Sequence, residues 1–472
     1  MLLPRPTSRP RGEVIRPRNF YYCTLILIIS TAMQVSSAAD ESWPTYMHDN
    51  ARSGVSETVL KVEQLGEQRW SYRSPAPPRT AWSGPPTMDA GHKQDRPPAT
   101  RDFDTAFFVT AQAGSAYFGS SVTNSVHCVE AATGDTRWHF RTGGPVRFPP
   151  SLSNGRVYFG SDDGFAYCAD ANSGREIWRY SAGEKSGRLI GNDGNLVTFW
   201  PVRTTVAVQD QKVYFATSLV PWVDPYLCSL DAQSGSDDGP GLYRVPAKAP
   251  GVMEGYVGSP LSPMGAILVS PTRLFLMQGR ISPQIFDRAT GKHVSAIRPP
   301  HDGWMASMSI WTGAGTYALL TPENHIVTGR GRMWASGSTL NEFHEDKPHD
   351  LVARHPSAHA MVIDGQHTFV IINKHTFDDD GHWLETKSTV ACLDRKSGKP
   401  IWKTETGVLH SLIKVGDLII VGGDEVAFAL AAADGTTMWR QEVDGRATGL
   451  AAAEGRLFVS TDVGDIYAFG RE

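Results

Sequence analysis

Seven of the fifteen histidines fall within one stretch, at His344, His349, His355, His359, His367, His375 and His382, with Asp378, Asp379 and Asp380 beside the last two. Imidazole and carboxylate together are the usual donors of a transition-metal site. The spacing argues against one, because His355 and His359 share a face only on a helix and Pro356 lies between them. A polar insertion on one face of the fold is the simpler reading, and no metal ligand is assigned. The acids Asp170, Asp231, Asp287 and Asp394 have the chemistry of general bases. Each, however, stands four residues before a glycine, at Gly174, Gly235, Gly291 and Gly398. One carboxylate per repeat, always at the same place, marks a turn whose backbone donors it satisfies. No catalytic residue is assigned.

Those glycines belong to a repeat that runs the length of the chain. Its clearest copy reads Gly155-Arg156-Val157-Tyr158-Phe159-Gly160, a Ser-Asp-Asp-Gly turn, Phe165-Ala166-Tyr167-Cys168-Ala169-Asp170, an Ala-Asn-Ser-Gly turn, and Arg175-Glu176-Ile177-Trp178-Arg179-Tyr180. Alternating aromatic and β-branched residues between Gly-containing turns predict three short strands. The turn glycine recurs at Gly134, Gly174, Gly235, Gly291, Gly398 and Gly435, and a tryptophan follows four residues later at Trp138, Trp178, Trp402 and Trp439. These tryptophans, with Trp70 of the matching segment Gly66–Arg73, read as packing residues between repeats. Cys128, Cys168 and Cys392 lie six residues before their turn glycines and Cys228 seven before its own. Equivalent strands of separate sheets are too far apart for a disulfide, so four free, buried thiols are expected.

The two ends are complementary. Residues 66–73 have the tryptophan strand without the strands that precede it elsewhere, whereas residues 455–470 have the leading strands without a tryptophan strand. A ring in which the N-terminal strand completes the last sheet explains both. The predicted fold class is therefore all-β, a single β-propeller of four-stranded blades. The gap from Gly291 to Gly398 is twice the usual spacing and leaves room for a degraded repeat, with strands near Tyr317–Leu320, 325–328 and 333–336. Eight blades follow, with seven as the alternative.

Composition narrows the class of function. Arg5, Arg9, Arg11, Arg16 and Arg18 precede an uncharged stretch from Asn19 to Ala39, which reads as a signal peptide (1–39), or as a membrane anchor through residues 20–39 if it is not cleaved. Either way the domain at 40–472 lies outside the cytosol, periplasmic, secreted or anchored. That domain keeps 40 basic and 48 acidic residues, which gives no electrostatic footprint for nucleic acid. No P-loop, nucleophile elbow or zinc-hydrolase helix occurs.

The segments Tyr167–Trp178 and Cys392–Trp402, and the opening Trp43-Pro44-Thr45-Tyr46-Met47-His48-Asp49-Asn50-Ala51-Arg52-Ser53-Gly54, resemble the tryptophan-containing repeat of PQQ-like, quinoprotein-type β-propellers. The resemblance covers residues 43–470. It implies that Trp70, Trp138, Trp178, Trp402 and Trp439 dock each blade onto its neighbour. The family includes quinone-dependent alcohol or sugar dehydrogenases and cofactor-free scaffolds of the outer-membrane protein assembly machine. The alcohol-oxidising branch implies PQQ, Ca²⁺, an adjacent Cys-Cys disulfide and a catalytic Asp, and this chain has no Cys-Cys pair. The expectation is thus a monomeric, non-catalytic platform for protein partners in the cell envelope, without a cofactor. A PQQ- and Ca²⁺-dependent dehydrogenase and a carbohydrate-binding propeller are the alternatives.

Overall fold

The computed structural model describes residues 41–82, 103–183, 188–192, 194–220, 223–248, 261–278, 282–297, 315–329, 339–377 and 383–471. Residues 37–472 form one compact unit. Residues 1–39, where the signal peptide or anchor is expected, Asp378–Asp380 and His382 lie outside the described residues.

Six repeats each fold into a four-stranded antiparallel sheet. The second of them shows the pattern: Ser151–Ser153, Arg156–Gly160, Phe165–Asp170 and Glu176–Ser181 pair in chain order. Apart from a two-stranded hairpin, Leu189–Asn192 with Asn195–Thr198, the remaining strands make one seven-stranded sheet, in which the long strand Thr437–Ala453 joins two repeat units. Its far edge is Gln68–Tyr72, which pairs antiparallel with Ile466–Gly470 near the C-terminus, with Trp70 opposite Ala468. The chain's first repeat strand thus completes its last sheet, as the complementary ends require. This is a β-propeller. The degraded repeat is present as Tyr317–Leu320, His325–Gly329, Thr339–His344 and Leu351–Pro356. Its third strand lies at 339–344 rather than at 333–336, which is outside the described residues.

Tryptophan docking is visible atom by atom. The indole N–H of Trp70, Trp138, Trp178 and Trp402 donates to the carbonyls of Ala131, Ala171, Ala232 and Ala432 at 3.0, 3.0, 3.2 and 2.9 Å. Each acceptor lies three residues before the turn glycine of the next sheet. Trp439 donates to Gly66 O at 3.3 Å, and Tyr243 takes the same role with its hydroxyl on Arg288 O at 3.1 Å. At Gly174, φ is +68° and a Cβ would lie 2.6 Å from the Trp138 ring. Only glycine meets both demands. Gly174→Ala is expected to destabilise the protein by about 1–3 kcal/mol, read as a lower urea midpoint with unchanged slope.

The connections are unequal. Turns from first to second strand and from third to fourth stay short, as at Asn154-Gly155 and 171–175 in the second sheet. The long ones, 73–108, 182–206, 247–267 and 297–316, all run from the last strand of one sheet to the first of the next. Antiparallel order places the strand ends that these connections leave and enter on one rim of the ring, opposite the tight third-to-fourth-strand turns.

Candidate functional site

The ring axis is filled by the chain's own N-terminal segment. Between Glu41 and Ser56 its backbone meets the first strands of most of the sheets. Trp43 bridges Ala111, and the carbonyls of Pro44, Asn50, Ala51, Gly54 and Ser56 accept from the N–H of Leu152, Val269, Leu320, Lys414 and Gly416. Asn50 Nδ2 donates to Val208 O at 2.7 Å. Trp43 and Arg52 are each 1% exposed. The cavity left on the axis, lined by Tyr46, Arg52, Phe108, Tyr317, His410 and Thr448, measures about 60 Å³.

Beneath the long-connection rim lies a buried charge cluster. Asp162, fully buried in the turn between the second and third strands of its sheet, accepts from Arg147 Nε and Nη2 at 2.9 and 2.7 Å and from Arg203 Nη2 at 2.8 Å. Arg147 Nη1 reaches Asp104 at 2.6 Å. Burial alone would raise the Asp162 pKa, but the two guanidiniums override it and bring it down to about 2. Arg203 also lies over the Trp82 ring at 5.4 Å and donates to Asn192 Oδ1 at 2.6 Å. Asn192 ends the first strand of an extra hairpin, Leu189–Asn192 with Asn195–Thr198.

The turn residues do local work. Asp170 Oδ1 accepts from the backbone N–H and hydroxyl of Ser173 at 2.8 and 2.7 Å, and Asp231, Asp287 and Asp394 do the same with Ser234, Thr290 and Ser397. Gly134, Gly174, Gly235, Gly291, Gly398 and Gly435 all have φ between +65° and +78°. Cys128, Cys168, Cys228 and Cys392 are free and buried, and burial pushes the first, second and fourth thiols up to about 11.

The histidines do not form the polar insertion expected of them. His355, His359, His367 and His375 sit on strands of two successive sheets, because the stretch is a repeat whose turn signals have been lost. The structure joins His355 to His325, which the sequence pattern did not single out, around Glu342. This carboxylate is fully buried and receives His325 Nδ1 at 2.7 Å and Arg395 Nη2 at 2.5 Å, with His355 Nε2 at 3.6 Å. Burial would raise Glu342; the facing His355, Arg395 and His325 hold it well below the usual carboxylate range. Glu323, His325 and Glu342 have ligand atoms within 4.8 Å of one another. Arg395 also pairs with Glu323 at 3.0 Å, so both carboxylates already have a cation.

The described residues do not fit PQQ on the axis. Sites for small cofactors enclose roughly 300–1,000 Å³, against about 60 Å³ here. The arginine in that lining, Arg52, is committed to Thr45, Tyr46, Asp49, Thr205 and Ile267 of the chain itself. Among the described residues no helix is long and apolar enough to cross a membrane.

Comparison with known proteins agrees with the fold. Among solved structures, the quinohemoprotein alcohol dehydrogenase of Comamonas testosteroni superposes with a TM-score of 0.60 at 13% identity, covering 92% of this chain and 81% of that one. A europium-containing methanol dehydrogenase superposes with a TM-score of 0.59 at 11% identity, covering 92% and 98%. At such identities the likeness is one of fold. A search of curated protein sequences found no match. The profile of the family described as outer membrane protein assembly factor BamB matches residues 55–239 and 386–472. These two stretches, more than half of the chain, hold the docking tryptophans and all but one of the capped turns, and the chain belongs to that family of PQQ-like propellers.

Proposed function

We propose that this protein is a non-catalytic, eight-bladed propeller, monomeric and exported from the cytosol, that serves as a docking platform for protein partners in the cell envelope. The observation that carries the reading is the extra hairpin on the long-connection rim. Ile190 and Val197 turn inward toward Leu219 and Val220, while Leu189 and Leu196 stay 56% and 69% exposed. An apolar pair held outward on a braced hairpin suits a protein surface better than a small ligand. The filled axis supports the same reading, as does the family description. Neither nucleic acid nor membrane is a partner of the propeller body in this account.

Two arms test it. Replacing both leucines, Leu189→Glu with Leu196→Glu, is expected to abolish cross-linking from a photoreactive residue placed at Asn195, with the melting temperature within a degree or two of wild type. Calorimetric titration of the purified protein with PQQ and Ca²⁺ is expected to give no binding heat. Micromolar PQQ binding, about −8 kcal/mol, would overturn the platform reading in favour of a dehydrogenase.

A further inference from the structure

One socket for a docking aromatic stands empty. Register identifies the docking position as the residue opposite the one two before the turn acid: Cys168 faces Trp178, Ser229 faces Tyr243 and Cys392 faces Trp402. In the degraded repeat His325 pairs with His344 as His367 pairs with Asp394, so the same place falls to Ala353, opposite Glu342. The preceding sheet also lacks an aromatic there, with Ser295 opposite Ile285. Its receiving turn, however, has Pro348 where the glycine belongs and offers no socket.

The socket facing Ala353 is intact. Gly398 keeps φ +65°, Asp394 still caps Ser397, and Arg395 supplies the carbonyl at the third place before the glycine. At Gly134, Gly174, Gly235, Gly291 and Gly435 a Cβ would strike an aromatic ring within 2.5–2.8 Å, whereas at Gly398 nothing lies within 4 Å. A cleft of about 930 Å³ opens there between Leu351–Pro356 and the next sheet, walled by Ala353, Val370, Ile372 and Leu393. The seam is held by charge instead, through Arg395 to Glu342 and Glu323, so ring closure does not need the slot filled. His355 Nε2, in the cleft lining, is buried 3.6 Å from Glu342 and makes no closer hydrogen bond. On the rim Arg354 and Lys396 are exposed and form no ion pair among the described residues.

We propose that this seam is a binding slot for an aromatic side chain, an indole above all, presented by an acidic segment of a partner protein. The indole would stack on Gly398 and donate to the Arg395 carbonyl, as the chain's own tryptophans do at the other seams, while Arg354 and Lys396 face the flanking carboxylates. The inference rests on the reading of the protein as a platform, and adds the chemistry of what docks.

The test uses the full chain and an acetylated peptide, Asp-Glu-Trp-Asp-Gly, carrying 5-fluorotryptophan and followed by fluorine NMR. The fluorine signal is expected to shift and broaden on titration, and the same peptide with Ala for Trp is expected not to compete. Ala353→Trp, which supplies the missing ring, is expected to weaken binding at least tenfold. Gln366→Trp narrows the cleft from an exposed turn and serves should the first variant fail to fold. Binding unchanged in the folded Trp variants, competition by the Ala peptide, or no binding at millimolar peptide would overturn the proposal. So would self-association that disappears in Ala353→Trp, which would assign the slot to a second copy. Failure here leaves the hairpin and PQQ tests standing, so the two readings fall separately.

Discussion

Asp162→Ala is expected to destabilise the protein by about 3–5 kcal/mol, the cost of leaving buried cations without their counter-charge. Arg147 and Arg203 are 6% and 1% exposed, and Asp162 accepts from both. Only Asp104, through Arg147, would remain to balance two guanidiniums. Urea unfolding at pH 7 measures the loss; a midpoint equal to wild type would mean that the cluster contributes nothing. The pH dependence carries an independent signature. The folded pKa of Asp162 is about 2, below the ordinary 3.8, so its contribution is fully present above pH 4 and is lost as pH falls toward 2. The shift corresponds to roughly 2 kcal/mol. Asp162→Asn removes the titrating group, so the stability difference between wild type and this variant should shrink between pH 4 and pH 2.

The cluster also links stability to function. Arg203 Nη2 donates both to Asp162 and to Asn192 of the exposed hairpin, while its Nε donates to Asp162 as well. Loss of Asp162 frees the guanidinium that holds the hairpin, so the proposed partner's cross-linking from a photoreactive residue at Asn195 should weaken even at temperatures where the propeller stays folded. The buried charges tie Asp104, Arg147 and Arg203, from three inter-sheet connections, to one another through Asp162.

Much of the wheel was legible because its determinants are local and repeated. A turn glycine, an acid four residues before it and a tryptophan four after it fix a strand, a turn and a docking contact within one short unit, and the contact is made at Trp138, Trp178, Trp402 and Trp439. The degraded repeat was harder. Ala353 and Glu342 stand where tryptophan and cysteine stand elsewhere, so composition no longer marks the position and only strand register reveals it. The histidines misled for the same reason, since a repeat stripped of its glycine reads as an irregular polar stretch. Asp104, Arg147, Asp162 and Arg203 come from separate connections with no repeat to align them. Their meeting is a tertiary fact, without a signal in spacing. The filled axis was hidden too: the opening segment holds the ring mostly through its backbone, which any side chains would provide.

Among the few side chains of the segment that add to those backbone contacts, Asn50 and Thr45 included, Arg52 makes the most bonds, and Arg52→Met is expected to cost about 3–5 kcal/mol. Its guanidinium donates to Thr45 Oγ1, Tyr46 O and Asp49 O at 3.0, 2.9 and 3.0 Å, folding the opening segment back on itself. It also reaches Ile267 O at 3.2 Å and Thr205 Oγ1 at 2.9 Å, in two different connections between sheets. Methionine matches much of the volume but makes none of these bonds, leaving buried carbonyls unsatisfied. Arg52→Lys should recover only part of the loss, because one ammonium with three donors cannot reach both connections and the segment at once. Burial lowers the Arg52 pKa to about 10, still far above neutrality, so the side chain stays charged and the defect should not depend on pH between 5 and 8. Limited proteolysis distinguishes a loosened axis from general unfolding. In Arg52→Met at a temperature below its midpoint, cleavage between Glu41 and Ser56 should precede any cut within the sheets. Cleavage that begins in the sheets would show that the opening segment merely rests in a ring that is stable without it.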